Sequence, residues 1–181
     1  MSASAKKAEM EAAKVFVGVG SNINKEKNIV SAIAALRTVF GDLHVSPVYR
    51  SQAVGFDGDD FYNLVVAFHT GRKPRDVSAL LRAIELDHGR TSQDREFCSR
   101  TLDLDQLLYG DRVINEEGLR LPHSDLISHA YILKPLVDVA GDDRHPCLGQ
   151  TYCHLYLKLQ DSLEPVYPVD LPGLAPSQTD S

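Results

Sequence analysis

The sequence is short of cysteine, lacks tryptophan and has no long apolar run. Its three cysteines, Cys98, Cys147 and Cys153, are odd in number and lack zinc-ligand spacing. That excludes a disulfide framework and a structural zinc site, and it points to free thiols in a reducing cytoplasm. No stretch approaches the roughly 20 apolar residues of a membrane span. The N-terminal "MSASAKKAEMEAAK" lacks the apolar centre of a secretory signal and reads as an extension over 1–13. The formal net charge is −6 and no run of Lys or Arg stands out, so nucleic acid is not expected as a partner. An anionic small molecule stays compatible if a few placed arginines or metal ions meet its charge. There is no internal repeat.

What is present suits one domain. The chain has 181 residues, 43% of them hydrophobic, enough to bury a core. "KVFVGVG" (Lys14 to Gly20) reads as a buried strand. A helix follows, capped by Asn24, with Ile29, Ile33, Leu36 and Phe40 on one face and Gly41 as its stop. "LHVSPVYRS" is a strand interrupted by Pro47, "GFDGDD" a loop and "FYNLVVAFHT" a central strand. "KPRDVSALLRAIELDHG" is a helix with Val77, Leu80, Leu81 and Ile84 as its stripe, and "RTLDLDQLLYG" is a strand. "DRVINEEGLRLPH" is turn-rich, while "HAYILKPLVDVA" and "TYCHLYLKLQ" read as helices. The order fits an α+β fold, a ferredoxin-like αβ sandwich with a mostly antiparallel central sheet covered by helices, over 14–162. Residues 163–181 are Pro-rich and are expected to form a flexible tail.

One strand carries charge. Asp103 and Asp105 alternate with Leu102 and Leu104, so the carboxylates share one face and the leucines the other. Two carboxylates so close repel one another unless a cation lies between them. Hard oxygen donors on a rigid strand suit magnesium, which takes one or two carboxylates plus water and phosphate oxygens. A strand with one solvated face is the plainer alternative. Aspartate is nevertheless a poor strand former, and Arg90, Arg95 and Arg100 lie nearby with guanidinium forks suited to phosphate.

Four stretches, in order, resemble the 6-hydroxymethyl-7,8-dihydropterin pyrophosphokinase family of folate biosynthesis. They are "GVGSNI", "FYN" before "LVVAF", "IELDHGR" leading into "SRTLDLDQLLYG", and "VIN…LRLPHSDL" with "ILKPL". The resemblance implies a transfer of diphosphate from ATP to the pterin hydroxymethyl group, with release of AMP. It implies two magnesium ions held by Asp103 and Asp105, and ATP contacts from Glu85, Arg90, Arg95, Arg100 and His123. Catalytic roles fall to Arg90, Arg100, Asp103 and Asp105. Phe97 and Tyr131 would stack on the pterin, Asn63 would read its edge, and Ser51, Ala53, Val54 and Phe61 would line the pocket. A monomer is expected, as are lids formed by the loops at 51–60 and 90–99.

The chain also departs from the family pattern. Ser92, Gly118 and His129 stand where many members carry arginine, Ser99 replaces a usual proline, and Glu96 precedes the loop aromatic Phe97, often tryptophan. A paralogue with an altered pterin substrate, or a pterin- and nucleotide-binding protein without turnover, is therefore the alternative.

Overall fold

Alternation and burial build the sheet. In β1 (Ala13–Ser21), Val15, Val17 and Val19 are buried on one face while Phe16, Gly18 and Gly20 point to the other. β4 (Phe61–Thr70) is apolar on both faces, as a strand covered on both sides must be. The computed structural model describes residues 11–90 and 101–175. In the main sheet the strand order is β5-β1-β4-β3-β8, with β2 pairing β4, and every pair is antiparallel. β2 is His44–Val45, β3 Val48–Ser51, β5 Asp103–Tyr109 and β8 Tyr167–Val169. The strand expected over "LHVSPVYRS" is thus split at Ser46–Pro47, where proline has no N–H to give the ladder. A separate hairpin, β6 (Ile114–Glu116) with β7 (Leu119–Leu121), occupies the turn-rich segment. The expected α+β sandwich with an antiparallel sheet is the fold observed.

Helices cover both faces. α1 (Lys25–Phe40) and α2 (Pro74–Asp87) bury Ile29, Ile33, Leu36, Val77, Leu81 and Ile84 against the valine face of β1. α3 (Ala130–Ala140) and α4 (Tyr152–Leu159) bury Ile132, Leu133, Leu136, Tyr152 and Leu155 against Phe16, Val65 and Leu107 on the other face. Asn24 sits at the start of α1 as expected, but left-handed (φ 43°), and its side chain makes no cap hydrogen bond. Pro135 lies inside α3 and is buried.

Up to residue 175 the expected flexible tail is corrected by the structure; residues 176–181 lie outside the described residues. Tyr167–Val169 pair with β3, placing Val169 opposite Val48, and Leu171 and Leu174 are buried. The physical reason is apolar burial at an open sheet edge. Pro168 is tolerated because β8 is an edge strand.

His145 pins the connection between α3 and α4. It is buried, and its Nδ1 accepts from the backbone N–H groups of Cys147 (3.1 Å) and Leu148 (3.3 Å). Burial holds its pKa below the ordinary 6.5. The folded protein therefore favours neutral His145. The stability this contributes is present above pH 6.5 and lost as pH falls through the folded value. His145→Asn keeps an acceptor without a titration, so its melting temperature should fall less than the parent's on acidification from about pH 7.5 to 5. Parallel curves for the two proteins would contradict this.

Candidate active site

Gly20 opens the floor of the site. Gly20 lies between Asp103 of β5 and Asn63 of β4, and Gly18 between Asp105 and Val65. Having no side chain, Gly20 leaves space between the carboxylate strand and Asn63, whereas a Cβ on Gly18 would meet the Leu107 side chain at 3.6 Å. A Cβ on Gly20 would stand 3.3 Å from the Asn63 Oδ1. Asn63 is buried and fixed, with its Nδ2 donating to the Ser51 Oγ at 2.9 Å.

Opposite this floor, α2 delivers charge to β5. Glu85 is 5% exposed; its Oε1 accepts the backbone N–H of Leu104 at 2.7 Å and an N–H of Arg90. The same Arg90 Nη1 donates to the Asp103 Oδ1 at 2.8 Å. Arg90 therefore bridges the helix end to the carboxylate strand. Burial raises the Glu85 pKa, and the Leu104 amide and Arg90 oppose that rise. His123 follows β7, and its backbone N–H donates to the Leu107 carbonyl at 2.9 Å. Its Nδ1 accepts the Asp125 N–H at 3.2 Å, and its Nε2 lies 4.0 Å from the Asp105 Oδ1. Burial lowers its pKa, against the pull of Asp125 and Asp103. The neutral ring with Nδ1 as acceptor carries its proton on Nε2, so His123 presents a donor beside Asp105.

Two cavities meet at this point. The first, about 430 Å³, is lined by Ser51, Val54, Phe61, Asn63, Asp103, Asp105, His123 and Tyr131, among others. The second, about 380 Å³, lies between α2, β5 and β7 and includes Glu85, Arg90, Asp105, Gln106 and His123. Asp105, His123 and Ser124 line both. The loop between β3 and β4 closes one side of the first cavity. It is tied down where Asn22 Nδ2 donates to the Asp59 carbonyl and Lys25 Nζ to the Asp60 carbonyl.

Of the residues expected from sequence, Ser51, Val54, Phe61, Asn63 and Tyr131 gather at the first cavity, and Glu85 and Arg90 at the second. Ala53 does not line the first cavity; its neighbours Gln52 and Val54 do. Arg95, Phe97 and Arg100 lie outside the described residues. Tyr131 stacks on His129, with ring centroids 4.8 Å apart and planes 17° apart, so His129 backs the cavity aromatic. Sequence reasoning missed Gly20, Phe56, Ser124, Asp125 and Gln106. Gly20 is placed by the pairing of β1 with β4 and β5, which periodicity within one strand does not reveal, whereas Gln106 directly follows Asp105 in β5.

Asp103 and Asp105 suit a divalent cation. They supply hard oxygen donors on one strand face, and no group of three or more metal-binding side chains gathers among the described residues. A centre with two carboxylates is completed by water and ligand phosphate oxygens, the habit of magnesium.

The comparisons with known proteins bear on the family and the fold. Residues 16–141 match the family model of 7,8-dihydro-6-hydroxymethylpterin-pyrophosphokinase (HPPK). A Pseudomonas aeruginosa protein named 2-amino-4-hydroxy-6-hydroxymethyldihydropteridine pyrophosphokinase is 37% identical over 137 residues, covering 74% of this chain and 84% of its own length. The Synechocystis protein of the same name is 35% identical, over 87% of this chain and 80% of its own. Folic acid synthesis protein fol1 of Pneumocystis carinii is 34% identical over 85% of this chain, which spans only 21% of that protein. A crystal structure of wild-type Plasmodium falciparum HPPK-DHPS shares the fold, with a TM-score of 0.66 and 14% identity over 86% of this chain and 47% of that one. With a family model spanning the carboxylate strand, His123 and most of the sheet, the chain belongs to the 7,8-dihydro-6-hydroxymethylpterin-pyrophosphokinase family.

Proposed function

We propose that this chain is a pyrophosphokinase of folate biosynthesis that moves the terminal diphosphate of ATP to the hydroxymethyl oxygen of 6-hydroxymethyl-7,8-dihydropterin, releasing AMP. The observation that carries this reading is the pair of cavities meeting at Asp105, His123 and Ser124. The pterin occupies the first, its edge met by the Asn63 amide and its ring by Phe61 and Tyr131. The nucleoside occupies the second, and the phosphates cross the shared boundary.

Asp103 and Asp105 would hold up to two magnesium ions there, which supply charge neutralisation for the triphosphate. Arg90 is aimed at the phosphates by its contacts with Glu85 and Asp103. His123 donates from Nε2 to a phosphate oxygen. The chain's own contribution is positioning and fixed charge, as expected for phosphoryl transfer. The pterin oxygen bonds to the β-phosphorus, the bond from that phosphorus to the α,β-bridging oxygen breaks, and the hydroxyl proton leaves to water. His123 is not the base, because its Nδ1 is already engaged by the Asp125 amide. The exposed thiols of Cys147 and Cys153 suit a reducing cytoplasm.

The test is AMP release from magnesium-ATP with and without 6-hydroxymethyl-7,8-dihydropterin. AMP that appears only with the pterin is expected. Pterin binding without AMP would instead support the turnover-deficient alternative, and AMP release indifferent to the pterin would reject the acceptor.

A further inference from the structure

An aromatic in the wall of the first cavity is held from a part of the chain that the reaction does not use. Tyr131 lines that cavity and stands in the first turn of α3. That helix start carries no cap of its own. His129 at its N-terminal boundary makes no side-chain capping hydrogen bond, and the first turn has no acidic residue. Glu164 takes the place from outside the helix. Its Oε1 accepts the backbone N–H of Tyr131 at 3.4 Å and lies 3.7 Å from the His129 Nδ1. One oxygen thus stands beside both residues of the stacked pair. Glu164 is itself fixed on either side. Leu163 packs against the apolar cluster that contains Phe16 and Leu133, and Tyr167 pairs with Arg50 of β3. All three residues lie past residue 141, where the match to the family model ends.

We propose, resting on the assignment of the first cavity to the pterin, that Glu164 is a positioning residue for that substrate: it holds the start of α3 and His129 so that Tyr131 presents its ring. A carboxylate is favoured at the first turn of a helix, where backbone N–H groups lack partners within the helix. The bond to the Tyr131 amide fixes the point from which that side chain leaves the backbone. The imidazole of His129, stacked on the ring, restricts how the ring turns. A wall whose rotamer is already set takes up a flat heterocycle at a smaller entropic cost than one that must be ordered on binding. Burial raises the pKa of the Tyr131 phenol, and the carboxylates of Asp125, Glu164, Asp105 and Asp103 add to the rise. The ring is therefore neutral, and Glu164 acts on its placement.

The experiment measures binding of 6-hydroxymethyl-7,8-dihydropterin to the full chain by calorimetry. Magnesium and α,β-methylene-ATP are present, and the bridging carbon of that analogue blocks transfer. Glu164→Ala should weaken pterin binding roughly fivefold and leave the affinity for the ATP analogue unchanged. Glu164→Gln keeps an acceptor for the Tyr131 amide and should recover most of the loss. On a Tyr131→Leu background, Glu164→Ala should add little, because both changes act through one ring. In the AMP assay the same split should appear as a raised KM for the pterin at nearly constant kcat. Equal weakening of pterin and nucleotide binding, the mark of a merely structural role, overturns the inference. So does parent-like pterin affinity in Glu164→Ala, or a full extra loss on the Tyr131→Leu background. A parent that binds the pterin and shows this split in binding, yet releases no AMP, keeps the role of Glu164 and loses the transfer reading. A parent that binds no pterin overturns both.

Discussion

Asp103→Ala should lower pterin-dependent AMP release by about a thousandfold or more while leaving the protein folded. Asp103 opens β5, faces the cavity beside Gly20, and accepts from Arg90. Removing its carboxylate deletes one of the two side chains that would hold the cation and frees Arg90 from the orientation it shares with the strand. The cost to stability should stay within about 1 kcal/mol, because the ion pair is partly solvated and Arg90 keeps Glu85. Asp103→Asn preserves shape and should be nearly as inactive, since a neutral amide is a weaker ligand for a hard cation. Turnover above a tenth of the parent's in either variant would sink the role given to Asp103. A thermal melt run beside the assay separates lost chemistry from lost fold.

Glu85→Ala should act in the opposite way, chiefly through the fold. Glu85 is buried and accepts both the Leu104 amide and Arg90, tying α2 to β5. Truncation strands a buried backbone N–H and leaves Arg90 with Asp103 alone. The expected loss is about 2–4 kcal/mol of unfolding free energy, most of it from the unmatched amide and the space left behind. Glu85→Gln retains an acceptor for Leu104 and gives up only the charge, so it should recover more than half of that stability. Its activity should stay well below the parent's, because Arg90 is no longer steered by a carboxylate. Denaturant titration of the three proteins is the check. Equal losses for alanine and glutamine would mean that charge rather than the amide acceptor decides stability here.

These two effects mark the boundary between what local sequence encodes and what folding adds. The face of Asp103 follows from a period of two and needs no knowledge of the partner strands. The elements around it are equally local: the apolar stripe of α2, the glycine stop after α1 and the β-branched run of β4 each write their own periodicity. The tail misled for a local reason. Its prolines and polar end resemble linker composition, and nothing within it announces that Val48 awaits a partner. Tyr167–Val169 became a strand because β3 offered an unpaired edge.

The sequence by itself therefore determined the carboxylate pair, the order of elements and, through its motifs, the family. Only the tertiary structure decided that Gly20 opens a floor between Asp103 and Asn63. It also brought Arg90 between Glu85 and Asp103, stacked His129 on Tyr131, and joined two cavities at His123. The reason is range. Periodicity is a relation among neighbours in the chain, whereas a site is a relation among strands and helices whose adjacency is set by burial of the whole core.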